Sequence, residues 1–197
     1  MSTAPSLHII IRVPIPPSLP PSTLLSALQT YEPLIRVNPY LHTFTQRPLD
    51  LSEIINDPFF LESGSNLQAF TVVEHVPIIP LGSWTPTKEV LIPCIFQSFE
   101  HGVRCRGHAQ AGVVVRSSYE VRRRGEVKEG PELLLGPGDE GGEWEFVEIA
   151  DITCGALVKP FVRSRFTAAH MEILQKVVDG VAKEAGVSKV GAAANWQ

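Results

Sequence analysis

The sequence predicts an α+β fold in which a curved antiparallel sheet grips a long C-terminal helix. Most of the chain before Phe166 consists of short runs rich in β-branched and aromatic residues, which favour strands. The segment from Phe166 to Gly186 instead repeats apolar side chains at steps of three and four residues, as a two-faced helix does. Because a sheet must bury its apolar face against another layer, this helix is expected to cover the sheet.

The composition is typical of a globular protein. The 197 residues suffice for a hydrophobic core, and we predict a single domain over residues 1–197. A net charge of -4 argues against general nucleic-acid binding, which needs a basic face. Cys94, Cys105 and Cys154 show no paired spacing, which favours free thiols in a reducing compartment.

The first residues lack the basic start and long apolar run of a secretory signal. No apolar stretch reaches the roughly 20 residues that span a bilayer. We therefore predict a cytoplasmic protein without a transmembrane segment, for which peripheral membrane contact remains open.

The first part of the chain is predicted to combine strands with short helices. Leu7–Ile15 is short and β-branched, as strands are, and the prolines after it form an extended connector. Ser22 or Thr23 can cap a helix whose buried face carries Leu24, Leu28 and Tyr31. Further strands are expected at 41–51 and 67–79, with a loop or short helix between them.

The middle of the chain is predicted to contain three strands between Thr87 and Arg124, with a tight turn at Gly102. The segment from Gly125 to Glu143 is rich in glycine and acidic residues, which predicts a long, mobile hairpin loop. A further strand follows this loop.

The terminal helix is predicted to begin at Thr167 as its N-cap and to stop at Gly186, with a flexible tail over about 187–197. One face of the helix is apolar and the opposite face is charged. The apolar stripe comprises Met171, Leu174, Val177, Val178, Val181, Ala182 and Ala185.

Three stretches carry a resemblance to a known superfamily. HIIIRVPIPPSLPPSTLLSALQTYEPLIRVNPYL leads from a strand through prolines into a helix, EHGVRCRGHAQAGVVVRSSYEV reads as hairpin strands, and FTAAHMEILQKVV reads as a closing helix. In this order they resemble the START-like, or polyketide cyclase-like, superfamily, and the chain also resembles small fungal proteins of unassigned function. The resemblance implies a helix-grip fold with a cavity between sheet and last helix, open to hydrophobic ligands.

Strand alternation and the helical stripe indicate which side chains would face such a cavity. They are apolar except for a thiol, a hydroxyl and a phenol, a mixture typical of ligand sites. A filled core would show the same alternation, so both interpretations stay open. The predicted ligand-binding residues are Val90, Ile92, Cys94, Phe96, Val113, Val115, Ser117, Tyr119, Met171, Leu174 and Val178.

The candidate catalytic residues are Tyr119 and His75. Tyr119 could serve as a polar anchor or an acid, although a buried tyrosine hydroxyl often has a purely structural partner. His75 lies near the end of a predicted strand and could act as a base, the alternative being an ordinary surface histidine. His101, His108 and His170 rank below these two.

No motif for a metal or a nucleotide cofactor occurs, and we predict neither. Cys94 and Cys105 are expected to behave as small hydrophobic residues rather than nucleophiles.

Three functions are compatible with the sequence. The first is a protein that binds or carries a hydrophobic small molecule, such as a lipid, a sterol or a polyketide-like metabolite. The second is a cyclase or dehydratase that acts on a polyketide-like substrate in the same cavity. The third is a protein-interaction module with a filled core, for which the 125–143 loop would be the contact.

Overall fold

An eight-stranded curved sheet organises the part of the chain that the computed structural model describes, residues 7–77, 87–127, 133–135 and 142–187. The strands are β1 Leu7–Pro14, β2 Leu41–Arg47, β3 Ser65–Pro77, β4 Thr87–Phe99, β5 Gly102–His108, β6 Val114–Arg123, β7 Leu133–Leu135 and β8 Trp144–Thr153. Their order in the sheet is β2-β3-β4-β5-β6-β8-β1-β7. Neighbours run antiparallel except at the edge, where β7 pairs parallel with β1.

Three α-helices accompany the sheet in the described ranges: α1 Pro21–Leu28, α2 Glu32–Arg36 and α3 Lys159–Glu184. The 26 residues of α3 span roughly 39 Å at 1.5 Å per residue, enough to cross the sheet. It packs against β1, β8, α1 and α2. This architecture confirms the predicted α+β class with a sheet gripping the last helix. None of the described helices is long and apolar enough to cross a membrane.

The hydrophobic core lies between α3 and the inward face of β1 and β8. Alternate residues of β1, namely Ile9, Ile11 and Val13, are fully buried, as strand periodicity requires. From α3, the side chains that complete this core are Leu174, Val177, Val178, Val181 and Ala182.

A segment that we call the outer strap, Leu51–Gly64, covers the opposite face of the sheet. Asp57 on the strap accepts hydrogen bonds from Arg106 (2.5 Å) and Arg116 (3.4 Å). Gln97 on β4 both donates to and accepts from the backbone of Leu61, at 2.7 and 2.8 Å. The strap therefore supplies hydrogen-bond partners to outward-facing polar side chains of the sheet.

The start of α3 differs from the sequence prediction. The helix begins at Lys159 and is preceded by Val158, which supplies no side-chain cap, so Thr167 lies inside the helix and the prediction of an N-cap there is wrong. Pro160 in the first turn is compatible with the earlier start. Backbone N–H groups of a first turn have no partner within the helix, so a residue that lacks the N–H loses no hydrogen bond there. The predicted left-handed stop at Gly186 is confirmed, with φ of 70°.

The first helical region also departs from its prediction. Ser22 and Thr23 lie within α1, which follows Pro20 without a side-chain cap. The chain turns at Tyr31 with φ of 68°, and α2 then begins with Pro33 in its first turn. The predicted burial is confirmed, since Leu24, Leu28 and Tyr31 are 0% exposed, but Tyr31 lies beyond the end of α1 and not on its face.

Smaller differences concern the predicted stripe and loop. Ala185 is exposed and Met171 is only partly buried, so the buried stripe is narrower at these positions than predicted. Leu133–Leu135 forms β7 within the segment predicted as a loop. The other parts of that loop at 128–132 and 136–141, the predicted strand end at 78–79 and the predicted tail at 188–197 lie outside the described residues.

Candidate functional site

Two adjacent chambers lie between the inward face of the sheet and α3. The outer chamber has a volume of about 390 Å³ and the inner chamber about 130 Å³. They share wall residues from six elements or turns: Asn38, Glu74, Ile92, Ala109, Val115, His170 and Ile173. Pockets for small molecules usually measure a few hundred Å³, so the outer chamber alone is of that size.

Strand alternation determines which side chains of β4 and β6 form the walls of the chambers. On β4, Val90, Ile92 and Cys94 occupy successive inward positions, while Leu91 between them is 50% exposed on the other face. On β6, Val115, Ser117 and Tyr119 do the same. The inward positions of β4 and β6 therefore line the outer chamber with aliphatic groups and place the hydroxyls of Ser117 and Tyr119 at the inner one.

A buried polar cluster forms one wall of the inner chamber. Glu148 of β8 is 0% exposed and accepts a 2.6 Å hydrogen bond from the Ser117 hydroxyl. His170 of α3 places Nδ1 2.8 Å from both carboxylate oxygens of Glu148. A carboxylate oxygen accepts, so Nδ1 carries the hydrogen and Nε2 is the ring nitrogen that can take up a proton. Burying a carboxylate without such donors would be strongly unfavourable.

Tyr119 completes the cluster. Its hydroxyl lies 3.4 Å from His170 Nδ1, and its ring is stacked on the imidazole with 6.5 Å between centroids. Burial, reinforced by the neighbouring Glu148 and Cys105, raises the pKa of Tyr119 well above its ordinary value of 10.0. The phenol therefore stays protonated at neutral pH and can donate a hydrogen bond.

The thiols of Cys94 and Cys105 line the inner chamber beside this cluster. The hydrogen bond with Cys94, together with burial, raises the pKa of Cys105 well above its ordinary value of 9.0. A thiol held in its protonated form is a poor nucleophile. The raised pKa of Cys105 thus argues against covalent chemistry at that thiol.

A second polar pair lies where the two chambers meet. The amide of Asn38 donates a 2.6 Å hydrogen bond to Glu74 of β3. Burial raises the pKa of Glu74 above its ordinary value of 4.5, while Asn38 and the nearby His170 act in the opposite direction. The cavity wall therefore carries one carboxyl group, Glu74, while Glu148 lies behind the wall and contacts the lining residues Ser117 and His170.

The structure places most predicted ligand residues around the chambers. Val90 and Val113 line the outer chamber, Cys94, Phe96, Ser117 and Tyr119 line the inner one, and Ile92 and Val115 line both. Leu174 and Val178 lie in the hydrophobic core, and Met171 packs against it. The helix instead presents Phe166, Ala169, His170 and Ile173 to the outer chamber, because both chambers lie beside the part of α3 that precedes Leu174.

The histidines named from the sequence occupy different surroundings. His75 has a side chain that is 42% exposed, lies 3.7 Å from Glu89 and stacks on His42, and it lines neither chamber. His101 lies beside Glu100 in the β4–β5 turn, and His108 is exposed at the end of β5. Only His170, among these four, reaches the cavity walls described here.

Sequence reasoning did not single out Glu148 or Glu74. Both carried a usable signal, because each is an acidic residue in the inward, otherwise apolar register of a strand. Glu148 alternates with Phe146 and Ala150, and Glu74 follows Val72. Within the described ranges no three histidine, cysteine or acidic side chains form a group that could hold a metal ion.

Solved structures with a similar fold include the di-domain ARO/CYC StfQ from the steffimycin biosynthetic pathway. This match has a TM-score of 0.53 and 11% sequence identity, and covers 92% of this chain and 53% of StfQ. The chain thus spans about half the length of StfQ. TTHA0849 from Thermus thermophilus matches with a TM-score of 0.48 and 10% identity over 91% of this chain and 98% of that protein.

These identities are too low to transfer more than a fold, and the fold of StfQ supports the predicted polyketide cyclase-like, helix-grip architecture. No curated protein matches the sequence. The model of the family described as Domain of unknown function (DUF7053) matches residues 6–183, nearly the whole chain, and the chain therefore belongs to that family.

Proposed function

We propose that the protein binds a hydrophobic small molecule that bears an oxygen function, with its apolar body in the outer chamber and the oxygen at the inner polar cluster. The observation that carries this proposal is the meeting of Glu148, His170, Ser117 and Tyr119 at the inner chamber, beside a larger chamber whose walls are mostly apolar. Binding sites commonly combine apolar walls with a few such polar anchors. Lipids, sterols and polyketide-like metabolites all meet this description.

The anchors favour an oxygen that accepts a hydrogen bond. Tyr119 keeps its proton because its pKa is raised, and its hydroxyl lies at the chamber wall. A ketone or hydroxyl oxygen could accept from it without bringing another charge close to Glu148. A ligand carboxylate would instead meet Glu74 at the cavity wall, with the buried Glu148 carboxyl group directly behind Ser117 and His170. The shared fold with StfQ makes polyketide-like ketones a suitable first class to test.

The test compares wild type with two tryptophan variants of adjacent residues on β4. Ile92→Trp fills the wall shared by both chambers, whereas Leu91→Trp adds the same bulk on the opposite, exposed face. Protein purified from its own source would be examined by native mass spectrometry, and any released molecule identified after denaturation. We expect a bound hydrophobic molecule in wild type and Leu91→Trp, and its loss in Ile92→Trp.

Retention of the molecule by folded Ile92→Trp would place the binding site elsewhere and contradict the proposal. So would a wild type that carries no molecule and gains no thermal stability from any member of a lipid, sterol and aromatic polyketide panel. The two chambers already favour a ligand over the interaction module with a filled core.

A second candidate function is proton transfer on the bound molecule, as in a cyclase or dehydratase. It is favoured by the 2.8 Å contact between His170 and Glu148, which orients the imidazole with Nε2 as the basic nitrogen. In this reaction Nε2 takes a proton from the carbon next to a ketone, and the carbon–hydrogen electron pair becomes the enolate. Tyr119 then donates a hydrogen bond to the enolate oxygen. His75 lies outside the chambers, so the base is assigned to His170.

This candidate is tested with His170→Phe, Glu148→Gln and Tyr119→Phe once a bound ketone is identified. Proton transfer predicts that all three variants bind the molecule but lose exchange of its acidic hydrogen with deuterated water, by about 100-fold or more for His170→Phe. Unchanged exchange in Tyr119→Phe would remove its role, and unchanged exchange in His170→Phe would reject the enzyme.

Three sequence predictions stay part of the proposal: one domain over residues 1–197, a cytoplasmic location and a fungal origin of the chain. Imaging of the fluorescently tagged full chain in cells of its source would test the location directly.

A further inference from the structure

We propose that the protein docks on an anionic lipid surface through a patch at the mouth of the outer chamber. The mouth patch consists of Leu157, Lys159, Phe161, Arg163 and Arg165, in the turn before α3 and in the first turns of α3. This interaction surface is separate from the polar cluster and does not depend on which molecule the cavity takes.

The apolar part of the mouth patch is unusually exposed. Leu157 is 99% exposed and Phe161 is 48% exposed, whereas most large apolar side chains of the described residues are buried in the core. Phe161 also lines the outer chamber, so the exposed apolar surface continues into the cavity wall. A surface of this kind offers side chains that can enter the interfacial region of a bilayer.

The charge of the mouth patch is opposite to that of the whole chain. The sequence between Asp151 and Glu172 contains no acidic residue but contains Lys159, Arg163 and Arg165, while the chain as a whole has a net charge of -4. The Arg165 guanidinium lies over the Phe161 ring at 5.5 Å, which places a cation beside an exposed aromatic group.

Basic groups lie both on the outer chamber and on the neighbouring surface of α3. Lys88 of β4 lines the outer chamber, as Arg165 and Phe161 do. On the solvent side of α3, Lys159 and Arg163 border an open depression of about 490 Å³. Anionic headgroups attract such clusters, with a strength of about 1 kcal/mol for each basic side chain near the surface.

Exposed apolar side chains with basic side chains next to them in the sequence favour a lipid surface over a protein partner. A protein interface of ordinary size needs a broad complementary patch, whereas a bilayer needs only a few inserted side chains and an electrostatic attraction. A hydrophobic molecule could then pass between the bilayer and the chamber without crossing water.

The experiment is flotation of the full chain with vesicles of phosphatidylcholine alone and of phosphatidylcholine mixed with phosphatidylserine. We expect wild type to float with the anionic vesicles, to do so less at high salt, and to stay unbound with phosphatidylcholine alone. Lys159→Glu should weaken binding about tenfold or more, because it replaces an attracted charge by a repelled one. The double variant Leu157→Ser/Phe161→Ser should weaken it to a similar extent.

Two matched controls separate docking from general effects of charge or hydrophobicity. Lys183→Glu makes the same exchange near the other end of α3, and Leu51→Ser/Ile55→Ser removes two exposed apolar side chains, 67% and 75% exposed, from the outer strap. Both controls should float as wild type does, and all variants should show the wild-type circular dichroism spectrum.

Three results would overturn the proposal: no flotation of wild type, equal losses in the controls, or binding to both vesicle types that is insensitive to salt. Concentration-dependent dimerisation of wild type that disappears in Leu157→Ser/Phe161→Ser would assign the patch to a second copy instead. None of these results affects the proposed ligand site, which is tested by Ile92→Trp.

Discussion

At the scale of single residues, Glu74 links cavity chemistry to stability. Its carboxyl group is held by Asn38 and has a pKa raised by burial above 4.5. Because the folded-state pKa exceeds the unfolded value, folding favours the protonated carboxyl group. The favourable contribution is complete below about pH 4.5 and is lost as the pH rises through the folded-state pKa.

We therefore expect Glu74→Gln to be more stable than wild type above the folded-state pKa and equal to it in acid, since glutamine carries no charge to bury. Urea unfolding across a pH series measures this difference. Glu89→Gln, which changes an exposed carboxyl group on the neighbouring strand, is the control. A Glu74→Gln variant that is less stable at every pH would show instead that the hydrogen bond from Asn38 dominates.

The sequence was sufficient to predict which side chains of a strand face inward, because their direction follows from strand alternation. The inward positions of β4 and β6 follow from a period of two, and those residues line the chambers. The polar cluster could not be obtained in this way. Ser117, Glu148 and His170 come from β6, β8 and α3, and their meeting depends on strand order and on the rotation of the helix, which periodicity does not encode.

At the scale of elements, Asp57 is one of the residues that hold the outer strap to the sheet. Burial of this carboxyl group alone would raise its pKa, but the hydrogen bond from Arg106, the backbone N–H of Phe59 and the charge of Arg116 outweigh it and lower the pKa below 3.8. Stability from this contact is therefore present above about pH 3.8 and is lost as the pH falls through the lower folded-state value.

Asp57→Asn is expected to destabilise the protein by about 3 kcal/mol at neutral pH, because Arg106 remains buried without its carboxylate. The difference from wild type should shrink in acid, where both proteins lack that charge. Chemical denaturation at neutral and acidic pH measures it, with exposed Glu62→Gln on the same strap as control. A neutral effect at pH 7 would mean that the strap is held by its other contacts.

The pairing of β5 with β6 depends on a glycine. A Cβ atom added to Gly102 would clash with the backbone oxygen of Tyr119, whereas one added to Gly180 on α3 meets nothing within 4 Å. Gly102→Ala should therefore force the strands apart and destabilise by about 3 kcal/mol. Gly180→Ala should stabilise by about 0.5–1 kcal/mol through its higher helix propensity. Thermal unfolding of both variants tests whether stability falls in Gly102→Ala and rises in Gly180→Ala. A change of stability in the same direction for both variants would contradict the prediction.

Element boundaries were the weakest part of the sequence prediction for a definite reason. Thr167 carries a good capping side chain, yet the helix extends upstream to Lys159 because Pro160 is accepted in a first turn and Phe161, Val162 and Phe166 find the cavity wall. Local capping preference was outweighed by tertiary contact, which a single sequence does not display.

At the scale of the whole molecule, different segments pack on the two faces of the sheet. The inward face meets α3, the core and the chambers, and the outward face meets the strap with its arginine–carboxylate contacts. The order of strands and one long helix was enough to predict the helix-grip architecture. The volume left open inside it was not predictable, because it depends on how completely side chains from distant segments fill the same space.

The position of His170 on α3 has a consequence for the whole molecule. Glu148, Ser117 and Tyr119 belong to the sheet, so the imidazole is the only member of this cluster that the helix supplies. The 2.8 Å contact between His170 Nδ1 and Glu148 therefore ties the placement of the helix on the sheet to the geometry of the polar cluster.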